Sequence, residues 1–268
     1  MLTTVMHELF SYILALGFAI ARIFPCLLIV PAFSFFTLKG MVRSAIIVSL
    51  SLFLVPALQP VLSVLSKDPY VLLGIAMKEI VIGMFLGILL SVPFWIFESV
   101  GALFDNQRGA MSGGQLNPAL GPDVTIIGHM LQQWFIMLLM LGFGLTVMTQ
   151  VIWDSYRLWP LESWLPTFSA KGFSYFLDLL ADMFTKSVLF AAPLVLVLML
   201  IDFCIGVLSV YSQQLQASTL SVPLKSIVGI LFFLMYLPTL EYLANHQLAS
   251  FHDLIAHLTL VFPKGGAL

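Results

Sequence analysis

The chain has 268 residues, 60% of them hydrophobic and 9% charged, with a formal net charge of −2 from 11 basic and 13 acidic residues. A soluble domain carries about 25% charged residues, and a core of this length has no room for so much apolar surface, so the composition and a mean hydropathy of +1.06 exclude an ordinary soluble domain and point to a membrane protein. The charges are thinly scattered with no basic run to track phosphates, which argues against a nucleic-acid partner.

Six apolar tracts follow in chain order, at about 9–36, 44–66, 70–97, 124–153, 183–211 and 224–244. Each supplies the ~20 residues that span a hydrocarbon core. Backbone groups without water must bond within their own segment or around a closed barrel, and tracts this long favour helices. The predicted fold is therefore all-α, multi-pass, and built of helical hairpins. The first tract lacks the Lys/Arg region of a signal peptide and reads as a retained helix.

Between tracts the breaks carry Lys39-Gly40 with Arg43, then Ser66-Lys67-Asp68-Pro69. The stretch 98–123 opens on Glu98 and contains Asp105-Asn106-Gln107-Arg108-Gly109, Met111-Ser112-Gly113-Gly114 and Asn117. It is too polar to cross lipid and too poor in side-chain bulk to be a separate domain. Irregular backbone at membrane depth is tolerated only where protein or a wet cavity surrounds it, which predicts a re-entrant or pore-lining loop; an ordinary hydrophilic connection is the alternative. Asp105 and Arg108 lie three apart and suit a local pair. An interfacial loop is predicted over 154–172, near Trp153, Trp159 and Trp164. After it, Asp178, Asp182 and Lys186 share one stripe of an amphipathic helix leading into the fifth tract. A second polar island, 212–225, holds Gln213, Gln214, Gln216, Thr219, Pro223 and Lys225 and reads as a turn whose side chains meet a partner or close a gate. Lysine and arginine counts on the two sides of the membrane do not fix the orientation.

Arg22, Lys78, Glu79 and Asp202 interrupt apolar tracts. An isolated charge at bilayer depth costs at least about 2.5–3.5 kcal/mol, so these side chains are expected to face protein or water. Structural pairing, for instance Arg22 with Glu79 or Lys78 with Asp202, is favoured over an ion relay, because no helix face repeats several carboxylates. Gly83 and Gly87 form a GxxxG that permits close helix approach. Cys26 and Cys204 form no CxxC or Cys/His grouping and read as small buried hydrophobes. No metal-ligand spacing, P-loop, HExxH or GxSxG is present, so no cofactor, metal or enzymatic activity is expected.

The motifs Arg22-Ile-Phe-Pro25 with Pro31, Lys78-Glu79-Ile-Val-Ile-Gly83 with Gly87, Pro93-Phe-Trp-Ile-Phe-Glu98, Asp105-Asn-Gln-Arg-Gly109 and Pro223-Leu-Lys225-Ser226 run over essentially the whole chain. Together they resemble the SctT/FliR family, the export-gate subunit of type III secretion systems and of the flagellar exporter; the DNQRG string is closer to the virulence-injectisome branch. The resemblance implies a multi-pass protein of the bacterial inner membrane, a single export-gate domain over 1–268 that assembles with SctR-like and SctS-like subunits into a hetero-oligomeric spiral. Unfolded polypeptides leave the cytoplasm through that gate. It also implies that the loop matching Asp105 to Pro122 acts as a pore plug and that an SctU/FlhB-like switch protein contacts the cytoplasmic face; Glu98 is grouped with the intramembrane charges expected to pair. The 213–225 island resembles the turn of the SctS-type companion, with Leu224 inserted between its proline and lysine. The competing expectation is a secondary transporter binding a small ion or solute at Arg22, Lys78, Glu79 and Asp202.

Overall fold

A computed structural model describes residues 2–33, 40–64, 68–109, 125–142, 144–162, 170–211 and 217–261. Among them lie α1 (Leu2–Ile29), a 3-10 turn (Pro31–Phe33), α2 (Gly40–Val64), α3 (Pro69–Arg108), α4 (Ile126–Leu141), α5 (Gly144–Leu158), α6 (Ala170–Tyr211) and α7 (Ala217–Val261), with no strand among the described residues. The fold is all-α, as composition dictates. Five helices are long and apolar enough to cross a membrane, and α4 with α5 makes a sixth if the two are one broken span.

The chain forms two compact units, one of Met1–Val92, Phe143–Phe176 and Ser250–Leu268, the other of Pro93–Gly142 and Leu177–Ala249. In the first, α1 packs along α2. Ala15, Phe18, Ala19, Ile23 and Leu27 repeat at three- and four-residue spacing and bury one face of α1, which shares a core with Ile47, Leu54 and Leu58 of α2 and Ile75, Ile82 and Leu86 of α3. The second unit is built on aromatic rings. Phe97 stacks on Phe135 at 4.7 Å, Phe94 meets Phe135 edge-on at 5.2 Å, and Phe104 stacks on Phe233 at 5.5 Å. Such pairs add about 0.5–1.5 kcal/mol beyond area burial, an anchorage that matters where lipid is as apolar as the side chains.

Several sequence expectations change here. The 124–153 tract is two helices, because Gly142 and Gly144 weaken the helix between them; Gly142 still donates its N–H to Leu138 O at 2.9 Å. The polar stretch from Glu98 is not loop at its start, since α3 continues to Arg108. Its polar residues sit among Phe97, Val100 and Phe104, which supply the buried helical stripe. Likewise α7 begins at Ala217, so Thr219, Pro223 and Lys225 belong to a helix and not to a turn. Proline inside a helix is tolerated in membrane-type chains, where neighbouring groups can re-satisfy the freed carbonyl. The 154–172 loop loses both ends to α5 and α6, and Trp159 is buried at 4% exposure instead of lying at a headgroup surface. Cys26 is buried but Cys204 is exposed.

Candidate functional site

The first unit encloses a set of charges in its apolar core. Arg22 is fully buried. Its Nε donates to Glu79 Oε2 at 2.5 Å, Nη1 to Ser155 Oγ at 3.0 Å and Nη2 to the Trp159 carbonyl at 3.0 Å, while the guanidinium lies 3.7 Å from the Tyr156 ring centroid. The second Glu79 oxygen lies 3.1 Å from Lys78 Nζ, which also donates to the Pro160 and Leu161 carbonyls at 3.1 Å. Buried ions persist only when paired and hydrogen-bonded, and here two cations share one carboxylate and take up the carbonyls that follow α5. Pro160 disfavours helical backbone at Trp159, so α5 ends at Leu158 and its chain turns those carbonyls toward the cations.

Small residues let the helices come close enough for this. A Cβ at Gly83 would overlap the Arg22 carbonyl oxygen and lie 2.8 Å from Pro25 Cγ, and one at Gly87 would lie 2.8 Å from Cys26 O. Both glycines lie on the α3 face that α1 rides on, so the GxxxG serves as a seat for the Arg22 turn.

The second unit concentrates its polar groups at the end of α3. Asp105 is 1% exposed. Its Oδ1 accepts from Arg108 Nε at 2.8 Å, with Arg108 Nη2 at 2.7 Å, and its Oδ2 accepts the backbone N–H of Ile127 at 2.7 Å. The opening N–H groups of a helix have no partner in their own helix, and Thr125, the residue at the α4 N-cap, makes no side-chain capping bond. Asp105 therefore caps α4 from another helix, with its negative charge at the positive end of the dipole. At the C-terminus of α3, Lys225 Nζ donates to the Gln107 carbonyl at 2.9 Å and to Asp202 Oδ2 at 3.0 Å. Gly109, with φ of 83°, then takes the left-handed conformation that ends the helix. Two turns before the end, Gly101 of α3 touches Gly128 of α4 backbone to backbone, and nearby Gln132 Nε2 donates to Glu98 Oε2 at 2.5 Å.

The expected Arg22 with Glu79 and Asp105 with Arg108 pairs are both present. Lys78 joins Glu79, and Asp202 meets Lys225. Asp182 and Lys186, on one stripe of α6, pair at 2.7 Å. Of the residues expected in a plug, Asp105 to Gly109 end α3, with Asn106 exposed. Met111, Ser112, Gly113, Gly114 and Asn117 lie outside the described residues, as do Gln213, Gln214 and Gln216. Sequence reasoning missed Ser155, Tyr156, Trp159, Gln132 and the Gly101/Gly128 contact. The one available signal was that a buried arginine has five donors to satisfy and that a serine and two aromatics stand in the next polar stretch.

Residues 13–251 match the family described as bacterial export proteins, family 1. The Yop proteins translocation protein T of Yersinia pestis is 30% identical over 246 residues, covering 91% of this chain and 93% of the relative. The surface presentation of antigens protein SpaR of Salmonella typhimurium is 33% identical over 227 residues, covering 83% and 81%. The secretion system apparatus protein SsaT of the same organism is 26% identical over 257 residues, covering 95% and 97%. With buried charges seated between apolar helices, and with a match along nearly its whole length, the chain belongs to family 1 of the bacterial export proteins, the SctT/FliR family of the sequence resemblance.

Proposed function

We infer that this chain is a structural, non-catalytic component of a type III protein secretion export apparatus and helps unfolded polypeptides cross the bacterial inner membrane. The observation that carries the reading is the extent of the match: relatives named for Yop translocation and for a secretion apparatus align over 93% and 97% of their own length. The long apolar helices support a multi-pass location. Large hydrophobic side chains on α6 and α7, among them Leu196, Met199, Phe203, Leu231 and Met235, are exposed in the isolated chain and suit burial against SctR-like and SctS-like subunits and membrane lipid. An SctU/FlhB-like switch protein completes the proposed set of partners.

A solute carrier fits less well. Its binding site would need open charges, whereas Arg22, Lys78 and Glu79 are taken up by one another and by backbone carbonyls.

Within the gate, the stretch from Asp105 to Pro122, which begins in the last turn of α3 and contains Ser112, Gly113, Gly114 and Asn117, serves as the plug. Deleting Ser112–Asn117 is expected to raise ion and small-molecule leakage through the assembled gate while leaving assembly intact. Leakage equal to wild type from a normally assembled complex would refute the plug.

A further inference from the structure

We propose that the groove between α2 and α5 binds one phospholipid with a zwitterionic, primary-ammonium headgroup, its acyl chain lying on α2 and its headgroup on α5. The groove belongs wholly to the first unit, and the site does not depend on the plug reading.

The groove encloses about 670 Å³, within the ~300–1,000 Å³ of small-molecule sites. Its two walls differ in chemistry. The α2 wall is Phe53, Leu54, Ala57, Leu58 and Val61, and the α5 wall is Thr146, Thr149, Gln150, Trp153, Asp154 and Arg157. Both sets step by one and three residues, so each lines one face of its helix. The α2 face is apolar throughout; the α5 face is polar apart from the ring of Trp153. Val147, Met148, Val151 and Ile152, the apolar side of α5, are buried in the unit, so α5 commits that side to the core and turns its polar side to the groove. Water suits the second wall and leaves the first exposed. An apolar partner helix suits the first and strips water from the charges of the second at a cost. A phospholipid matches both.

The polar wall selects the headgroup. Arg157 Nη1 lies 3.3 Å from Asp154 Oδ1, with Arg157 84% and Asp154 20% exposed. The guanidinium can swing onto a phosphate, which it grips with two parallel N–H bonds, and this leaves the Asp154 carboxylate to accept from the ammonium. One cation beside one anion complements a neutral, dipolar head. An anionic head would set its phosphate against Asp154 with no cation of its own, and a quaternary ammonium has no N–H to give. Trp153, 39% exposed and 6.2 Å from the Phe53 ring across the groove, places at the rim the residue that favours the headgroup level.

The groove also borders the buried charges. Tyr156, whose ring lies against Arg22, and Pro160 and Leu161, whose carbonyls accept from Lys78, contribute to its lining. A bound lipid therefore braces the segment that holds both cations and raises the melting temperature by mass action.

The test is native mass spectrometry of the full-length chain, purified in mild detergent with its co-eluting subunits and titrated with defined lipids. One phosphatidylethanolamine per chain is expected to be retained, roughly tenfold more tightly than phosphatidylglycerol or phosphatidylcholine with the same acyl chains. Ala57→Trp, which fills the groove from an exposed position on α2, is expected to abolish that retention. Asp154→Asn combined with Arg157→Gln is expected to weaken it about tenfold and to erase the headgroup preference. If the Ala57→Trp protein fails to fold, this double variant at the rim decides the matter by itself. Equal retention of all three lipids, unchanged by the variants, would mean a nonspecific lipid annulus and overturn the site. Absence of retained lipid would overturn it too, as would Ala57→benzoylphenylalanine cross-linking to a co-eluting subunit in place of lipid.

Discussion

Arg22→Met is expected to be among the most damaging single substitutions in this chain. It removes the counterion from a carboxylate that is fully buried, and breaking such a pair from one side costs about 3–5 kcal/mol. Lys78 remains 3.1 Å from the other Glu79 oxygen, yet it is committed to two carbonyls as well and lies 9% exposed, so it cannot satisfy the Oε2 side. Arg22→Met also removes the Nη2 donor from the Trp159 carbonyl, which loosens the chain after α5. The expected result is a marked fall in the yield of folded chain and in its melting temperature in detergent. Glu79→Gln, placed on the Arg22→Met background, is expected to recover part of that loss, because the double variant has no unpaired charge at Oε2. A double-mutant cycle on melting temperatures measures this directly, and additive losses would mean that the two side chains do not act as a pair.

The second large effect is expected at Gly101. A Cβ there would lie 2.5 Å from both Gly128 Cα and Gly128 N and 2.6 Å from Ile127 C, all backbone atoms with no flexible end to swing away. Gly101→Val therefore forces α3 and α4 apart, at a cost of about 3 kcal/mol, and pulls Ile127 N–H from Asp105. Gly206→Ala is the matched control, since a Cβ at Gly206 meets nothing within 4 Å. It should leave stability unchanged or raise it by up to about 1 kcal/mol through helix propensity. Equal stability of the Gly101→Val and Gly206→Ala chains would show that the helices do not cross where the structure puts them.

How much of this was legible in the sequence depended on which physical constraint was strict. Long apolar tracts leave the backbone few alternatives, so the all-α multi-pass fold could be read from composition alone. The buried charges had to be paired, and that too was legible, but pairing says only that a partner exists. Arg22 pairs with Glu79, whereas Lys78 meets the Glu79 that follows it in sequence and Asp202 meets Lys225 of α7, two partners that charge alone did not single out.

The two polar islands misled for a common reason. Glu98, Asp105 and Arg108, like Thr219, Pro223 and Lys225, look like loop residues by type, yet each set sits within a helix, and packed neighbours bond Glu98, Asp105, Arg108 and Lys225. Polarity in a membrane-type chain marks a need for partners, which a packed helix meets as well as a cavity-facing loop does. Trp159 illustrates the converse. Its type suggested a lipid surface, but its carbonyl is needed by Arg22 and its ring packs edge-on against Phe85 at 6.2 Å. The glycine contacts at Gly101 and Gly128 were beyond the reach of sequence, since nothing in a lone glycine on each of two helices says that they meet.

The central claim is that this chain works inside an export gate and not alone. Affinity purification of the full chain from membranes of the cells that encode it, in mild detergent, with mass spectrometry and particle imaging of the eluate, tests it most directly. SctR-like and SctS-like membrane proteins should co-elute in constant ratio, in particles showing a closed spiral of helices. Elution of the chain by itself, as a monomer or a homo-oligomer active in solute uptake, would contradict the account.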